Sequence, residues 1–356
     1  MLLRLLALSC LLPGVAAALT SLTFEPPAGV PAQGRHVVFL SGDEEYRGEE
    51  ALPMLAKVLS QRHGFRCTVL FSLDPEGVIN PENQRSLADS AALDTADAIV
   101  MSLRFRNWPE ADMARFVAAF NRGVPVIALR TSTHAFNIPP GSPYAQYSWN
   151  SRAPWPGGFG KHVLGETWIS HWGRHKFEAT RGVAEPANAA DPILRGVKDV
   201  FGDSDVYEAY PPADAQVLLR GVVLKDMDPK SPPSERRKKR ATDKQEQGVN
   251  EPAMAVAWTR ELKNEAGTVN RILTTTMASA SDLKDESLRR LLINGVFWGL
   301  KLDVPAAADA TPLVEWKPSK YSFNQFHKGL KAEAFAGVLP DPVAAPAPAP
   351  KKPAAK

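Results

Sequence analysis

Short apolar runs alternate with helix-patterned segments through the first third of the chain. The runs that predict buried strands are residues 36–40, 65–71, 96–101 and 124–129. The segments with apolar side chains at helical spacing are residues 49–63 and 109–121. Gly64 and Gly123 stand where the ends of these helices are expected. Alternating strands and helices predict an α/β fold with a doubly wound, mainly parallel sheet covered on both faces.

The second half of the chain continues this pattern with long inserted loops. Further strands are predicted at residues 217–223, 253–258 and 271–276, followed by a closing helix capped by Ser281 or Asp282. Residues 131–170 are rich in proline, glycine and aromatic side chains, which indicates a functional loop or an ordered insertion. The charged residues 225–250 predict a mobile, solvated loop.

The two ends of the chain differ from the centre in composition. Residues 1–18 combine Arg4, a short apolar run and a small-residue cleavage site, which is typical of a secretory signal peptide. We therefore expect export to the periplasm or the extracellular space, with no membrane span after cleavage. Residues 19–34 form a lead-in, 35–305 the main domain and 306–340 an extension. Residues 341–356 are expected to be disordered.

Charge and cysteine content narrow the choice of partners. The chain has 42 basic and 39 acidic side chains, a net charge of +3, which gives no electrostatic case for binding nucleic acid. The basic run at residues 236–240 lacks the interleaved aromatic side chains that stack on bases. Cys67 is the single cysteine beyond the predicted cleavage site, so a buried structural thiol is expected there.

Dense polar sequence follows three predicted strands at the point where each strand ends. Glu44 and Glu45 follow the first strand, Arg104 the third, and Arg130 and His134 the fourth. Because the carboxyl ends of parallel strands meet at one edge of a sheet, these side chains are expected to share a cleft. Such groups bind sugar hydroxyls or carry protons. The carboxylates also suit a helix N-terminus without any function, so both interpretations stay open.

A second polar cluster lies in the inserted region. It contains Glu166, His171, Trp172 and His175. Two histidines four residues apart chelate zinc when they lie on a helix, but Gly173 and the surrounding sequence argue against a helix. We therefore predict no metal and no cofactor, and keep a metal-dependent hydrolase as a third possibility. Tryptophans here offer sugars an apolar face, although core packing is the alternative.

Several segments, in this order along the chain, resemble ThuA-like (trehalose-utilisation) domains of secreted bacterial proteins. The segments that carry the resemblance are residues 42–50, 158–166, 171–173, 191–197, 205–208, 275–283 and 289–294. The resemblance implies a flavodoxin-like sheet of the class I glutamine-amidotransferase type. Two departures stand out: Asp191 replaces a histidine common in relatives, and residues 131–134 contain no cysteine nucleophile, so glutamine hydrolysis is not expected.

The resemblance implies carbohydrate metabolism, with hydrolysis or elimination at the glycosidic bond of an oxidised (3-keto) sugar. The catalytic residues it implies are His134, His171, Arg130 and Glu45. The residues implied to bind substrate are Glu44, Tyr46, Arg104, Glu166 and Trp172. The expected partner is a small-molecule carbohydrate. The alternative is a non-catalytic carbohydrate-binding or scaffold domain of the cell envelope.

Overall fold

A computed structural model describes residues 19–337 and 340–343. The predicted signal peptide lies outside the described residues, as does the predicted disordered tail apart from residues 341–343. Within the described part of the chain, no helix is both long and apolar enough to cross a bilayer.

Twelve strands and three α-helices follow one another along the described chain. In order they are β1 (Ser21–Phe24), β2 (His36–Gly42), α1 (Gly48–His63), β3 (Arg66–Leu70), β4 (Ala98–Leu103), α2 (Glu110–Asn121), β5 (Val126–Leu129), β6 (Thr180–Ala184), β7 (Val200–Gly202), β8 (Gln216–Val223), β9 (Arg237–Lys239), β10 (Glu246–Gly248), β11 (Met254–Lys263), β12 (Val269–Thr275) and α3 (Glu286–Gly299). Each strand predicted from the sequence is present, with ends shifted by a few residues.

Ten of these strands form one sheet in the order β1-β3-β2-β4-β5-β12-β11-β8-β6-β7. The central strands β3, β2, β4, β5 and β12 run parallel, and the flanking strands pair antiparallel. The α/β fold class is therefore confirmed. Because β2, β4, β5 and β12 point the same way, the loops that follow them meet at one edge of the sheet.

Helices cover both faces of the sheet, as the two-sided apolar strands predict. Successive side chains of β2 point to opposite faces, so Val37 and Phe39 pack with α1 and α3, whereas Val38 and Leu40 pack with α2. Each face is thereby closed by apolar side chains removed from water, which stabilises the fold. Cys67 is a buried free thiol in the α1 layer, as expected.

Two expectations about the second half need correction. Asp285, not Ser281 or Asp282, caps α3, because its side chain accepts a 2.8 Å hydrogen bond from the Leu288 amide. Residues 225–250 are mostly exposed, as predicted, but they contain the β9–β10 hairpin and are not loop throughout. The hairpin is tied to the domain since Arg236 pairs with Glu178 at 2.7 Å.

The inserted region and the C-terminal extension both pack onto the domain. Within residues 131–170, Tyr147, Trp155 and Phe159 are buried in the α2 layer. In the extension, Tyr321 is buried and stacks on Tyr46 with ring centroids 5.0 Å apart. Both segments therefore reach the edge of the sheet where the polar loops meet.

Candidate functional site

A cavity of about 220 Å³ lies at the carboxyl edge of the parallel strands. Its lining residues are Glu45, Arg104, Phe105, His134, Trp168, His171, His175, Tyr207 and Phe323. Glu45 follows β2, Arg104 and Phe105 follow β4, and His134 follows β5. The three polar loops therefore do converge, as the strand order predicts.

A larger surface cavity of about 570 Å³ lies in the inserted region, away from these loops. Arg152 is the single ionisable side chain among the residues that line it, within the part of the chain the structure describes. The smaller cavity holds three imidazoles, a carboxylate and a guanidinium, so it is the better candidate for chemistry.

The loops at this edge hold non-glycine residues in left-handed backbone conformations. The φ angle is 60° at Arg47, 52° at Phe105 and 44° at Arg130. Each such residue costs on the order of 1–3 kcal/mol, which the surrounding structure must offset. Strained positions of this kind cluster at functional sites, and these three follow β2, β4 and β5.

Arg130 lies beneath the cavity and not in its wall, with its side chain fully buried. Its guanidinium donates to Asp205 Oδ1 at 2.9 Å and to the Asp205 carbonyl at 2.6 Å. It also lies 3.8 Å from the ring centroid of Tyr207. Arg130 is one of the catalytic residues that the resemblance implies. At this position it instead fixes and neutralises Asp205 and does not line the cavity.

Asp205 joins two histidines of the cavity. One carboxylate oxygen lies 2.9 Å from His171 Nδ1 and the other lies 3.0 Å from His175 Nδ1. Burial raises the pKa of Asp205, but Arg130 and the two imidazoles outweigh that effect and hold the pKa well below its ordinary value. Asp205 is therefore an ionised carboxylate that orients both rings.

His175 lies between two carboxylates. Its Nδ1 faces Asp205, and its Nε2 lies 3.1 Å from Glu45 Oε1. Burial lowers the pKa of His175, but the bonds to Asp205 and Glu45 outweigh that effect and leave the pKa above its ordinary value. This wall of the cavity therefore favours a protonated imidazole.

His134 has the opposite environment. Its ring is 4% exposed and lies between Phe105 and Trp168, with centroids 5.0 Å and 5.8 Å away. Nδ1 lies 3.2 Å from Thr133 Oγ1, and Nε2 has no hydrogen-bond partner among residues 19–337 and 340–343. Burial, and then the positive charge of Arg104, lower the pKa of His134 well below its ordinary value. His134 is therefore a neutral imidazole with a free nitrogen.

Arg104 supplies a positive charge at the cavity mouth. It is held by Glu44 at 2.8 Å, and its guanidinium lies 4.5 Å from the ring of Phe105 and 5.0 Å from that of Phe323. Glu44 also pairs with Arg106 at 2.9 Å. Glu44 thus positions Arg104 and does not itself line the cavity.

Three further residues predicted to bind substrate lie outside the cavity wall. Tyr46 is buried beneath it, with its hydroxyl 3.2 Å from Arg130. Glu166 is buried and paired with Lys161 at 2.8 Å. Trp172 is fully buried, and its indole nitrogen donates to the Val249 carbonyl at 2.8 Å, so it presents no face to a ligand. The half-buried Trp168 lines the cavity in its place.

Sequence reasoning left five residues of this site unassigned. They are Phe105, His175, Asp205, Tyr207 and Phe323. Signals existed for His175, which belongs to the histidine pair, and for Asp205 and Tyr207, which lie in a family-like segment. No pattern points to Phe323, which the extension brings to the cavity from far along the chain.

The same group of side chains has the geometry of a metal site. Ligand atoms of His171, His175 and Asp205 all lie within 4.8 Å of one another. No metal is predicted from the sequence because Gly173 argues against the helix on which two histidines four residues apart chelate zinc. In the structure they meet through Asp205 on a non-helical segment.

Comparison with known proteins gives a distant likeness. No protein-family model matches the chain, and no curated protein matches it. A solved ThuA-like protein from Parabacteroides merdae is 14% identical, with a TM-score of 0.43 over 75% of this chain and 90% of that one. A second, from Bacteroides uniformis, is 11% identical, with a TM-score of 0.40 over 80% and 97%. At these values the likeness carries nothing about activity, so function is inferred from the cavity.

Proposed function

We propose that this protein is an exported, ThuA-like carbohydrate-processing enzyme that hydrolyses or eliminates at the glycosidic bond of an oxidised (3-keto) sugar. The observation that carries the proposal is the contrast between two imidazoles of one small cavity. His134 is neutral with a free Nε2, and His175 lies between two carboxylates that favour its protonated form. Environments that push two pKa values apart define an acid and a base.

The size and lining of the cavity fit one sugar ring. Its volume of about 220 Å³ is below the roughly 300–1,000 Å³ of pockets for drug-sized ligands. Trp168, Phe105 and Phe323 offer apolar faces, and Glu45 and Arg104 offer hydrogen bonds to hydroxyl groups. Aromatic faces beside a few placed polar groups are what sugar binding requires.

A ketone makes the hydrogen on the neighbouring carbon acidic, so one base and one acid suffice. His134 Nε2 takes that proton, and the negative charge that develops on the ketone oxygen is stabilised by Arg104 or by the wall that contains His171 and His175. The electron pair then expels the glycosidic oxygen, which takes a proton from that wall. Addition of water to the unsaturated sugar completes a hydrolysis.

The test is release of sugar from 3-keto-trehalose by the purified chain. We expect release by the wild type, a loss of at least about 100-fold in His134→Gln, and full activity in His162→Gln. His162 is a matched control because its ring is exposed and stacks on Trp155, outside the cavity. Release that is equal in His134→Gln and in the wild type would refute the assignment of the base.

A non-catalytic carbohydrate-binding domain is the second candidate, and one observation favours it. The turn after β5, residues 131–134, contains no cysteine, whereas the class I glutamine amidotransferases that the sequence resembles carry their nucleophile on such a turn. Binding of the 3-keto sugar without turnover, at the same affinity in wild type and His134→Gln, would support this second function.

A further inference from the structure

We propose that His171, His175 and Asp205 bind one divalent transition-metal ion of the zinc type, with Glu45 as the outer partner of His175. The proposal goes beyond the sugar chemistry and does not depend on it, since it concerns this wall of the cavity alone.

The donor atoms already stand close to the arrangement that such an ion requires. Nδ1 of His171 lies 2.9 Å from one oxygen of Asp205, and Nδ1 of His175 lies 3.0 Å from the other. Bonds of about 2.0–2.2 Å in tetrahedral geometry separate neighbouring ligand atoms by roughly 3.3 Å. The ligand atoms of the three residues lie within 4.8 Å of one another, so side-chain movements on the order of 1 Å bring them to that spacing.

Oδ2 is the oxygen of Asp205 that is available to bind a metal, because Arg130 does not contact it. Oδ1 is engaged by Arg130 at 2.9 Å, whereas His171 is the protein donor to Oδ2 among the described residues. Oδ2 is thus the expected ligand, and Arg130 keeps the carboxylate in place from below. Two imidazoles and one carboxylate are a donor set that suits zinc and its transition-metal neighbours better than magnesium or calcium.

His175 shows why an ion fits this wall. A neutral imidazole has one N–H, and so can donate to Glu45 or to Asp205 but not to both. A metal on Nδ1 leaves the Nε2 proton for Glu45 Oε1, which lies 3.1 Å from Nε2 and has no hydrogen-bond partner within the described residues. A carboxylate–histidine–metal relay of this kind orients the ligand in many metal sites.

The backbone holds both histidines in place without a helix. His171 forms a bridge with Tyr207, and the Trp172 and Gly173 amides donate to the Val206 carbonyl at 2.8 Å and 3.0 Å. A Cβ atom at Gly173 would lie 3.1 Å from Asp205 Cβ, which is tighter than nine in ten such contacts. A side chain at this position would therefore press on Asp205 and move it by a few tenths of an ångström.

The site has the form of a catalytic and not a structural metal centre. Three protein ligands leave a fourth position, and the side chains of His171 and His175 are 38% and 25% exposed toward the cavity. Catalytic zinc sites keep such an open position, whereas structural ones are closed by four protein ligands. An ion here would polarise an oxygen of whatever ligand enters the cavity.

The purified chain is first freed of metal with a chelator. Zinc is then titrated into it, and isothermal calorimetry records the heat of binding. We expect one zinc per chain in the wild type. Glu45→Gln should weaken zinc binding by about 10–100-fold, because it removes the outer partner. His171→Gln and His175→Gln should each weaken it by more than Glu45→Gln does.

Two variants that leave the proposed metal ligands intact serve as controls, one outside the cavity and one inside it. His162→Gln and His134→Gln should bind zinc as the wild type does, and circular dichroism should show that every variant is folded. Absence of zinc binding, or equal binding in His171→Gln and wild type, would overturn the metal site. Sugar turnover is measured on the zinc-free protein, because a metal on His175 takes the place of the proton that the proposed function uses. Turnover there leaves the proposed function standing, and zinc binding together with no turnover by the zinc-free protein refutes that function alone.

Discussion

Glu45 and His175 approach each other across the floor of the cavity, with Oε1 of the glutamate 3.1 Å from Nε2 of the histidine. The two residues come from the loop after β2 and from the inserted region, so the contact joins both halves of the site. Since Asp205 holds the other ring nitrogen, the charge on His175 depends on both carboxylates.

The pH dependence of turnover should show a broad plateau. The pKa of His134 is lowered, so activity is lost in acid only when the pH falls through that depressed value and the base becomes protonated. The pKa of His175 is raised, so the positive charge is lost only when the pH rises through that elevated value. A histidine's ordinary pKa, about 6.5, should therefore lie within the plateau. The measurement is kcat/KM as a function of pH.

Glu45→Gln provides the control for this profile. Removing one carboxylate from His175 should move the alkaline limb to lower pH and leave the acid limb in place. A narrow maximum in the wild type, or an alkaline limb that does not move in Glu45→Gln, would contradict the assignment of the two imidazoles.

Asp205→Asn should destabilise the fold strongly. The substitution leaves the fully buried Arg130 guanidinium without its carboxylate, and breaking a buried pair in this way costs about 3–5 kcal/mol. Asp94→Asn is the matched control because Asp94 and its partner Arg115 have side chains that are 52% and 39% exposed. Its cost should be about 0–1 kcal/mol. Urea unfolding measures both, and equal costs would show that Asp205 does not compensate Arg130.

Glu49→Gln should change how stability depends on pH. Glu49 is 1% exposed, and burial raises its pKa to about 7, although Arg47 lies 3.6 Å away. Because the folded pKa lies above the unfolded value, the folded state is favoured most below the unfolded pKa and loses stability as the pH rises toward 7. The loss amounts to roughly 3 kcal/mol.

The free energy of unfolding, measured from about pH 5 to pH 8, checks this expectation for Glu49. The wild type should lose stability relative to Glu49→Gln over that range, whereas the exposed Glu110→Gln should run parallel to the wild type. Parallel curves for wild type and Glu49→Gln would show that the carboxylate ionises freely in the folded state.

Phe323→Ala should weaken sugar binding with little effect on stability. The ring is 43% exposed, lines the cavity and lies against Arg104. Loss of one aromatic face is worth about 0.5–1.5 kcal/mol, or roughly a 2–10-fold rise in KM. Phe177→Ala is the control, since that ring is 63% exposed and lies outside the cavity. An unchanged KM in Phe323→Ala would exclude the extension from substrate binding.

The sequence pattern predicts the sheet and the edge at which the polar loops meet. It does not predict which of their side chains line the cavity and which are buried beneath it. The alternation in β2 and the polar residues after β2, β4 and β5 correctly placed Glu45, Arg104 and His134 at one cavity. Arg130 also follows β5, yet it is buried beneath the cavity. Its side chain is held there by Asp205, which lies 75 residues away in the sequence. Local pattern cannot show such pairings.

Two tryptophans close together in the sequence, Trp168 and Trp172, show the same limit. Trp168 and Trp172 stand four residues apart, and one lines the cavity while the other is buried with its N–H on Val249. The partner of Trp172 lies 77 residues further along the chain, next to the hairpin that charge alone had indicated to be a solvated loop. Long-range packing decided which ring remains available to a ligand.

The central claim is that His134 removes the hydrogen on the carbon next to the ketone of a 3-keto sugar. The most direct test is the rate at which that hydrogen exchanges with deuterium in deuterated water, measured by NMR. The account predicts that the wild type accelerates this exchange, that His134→Gln abolishes the acceleration, and that His162→Gln leaves it intact. Exchange in His134→Gln as fast as in the wild type, or no acceleration by a wild-type protein that binds the sugar, would contradict it.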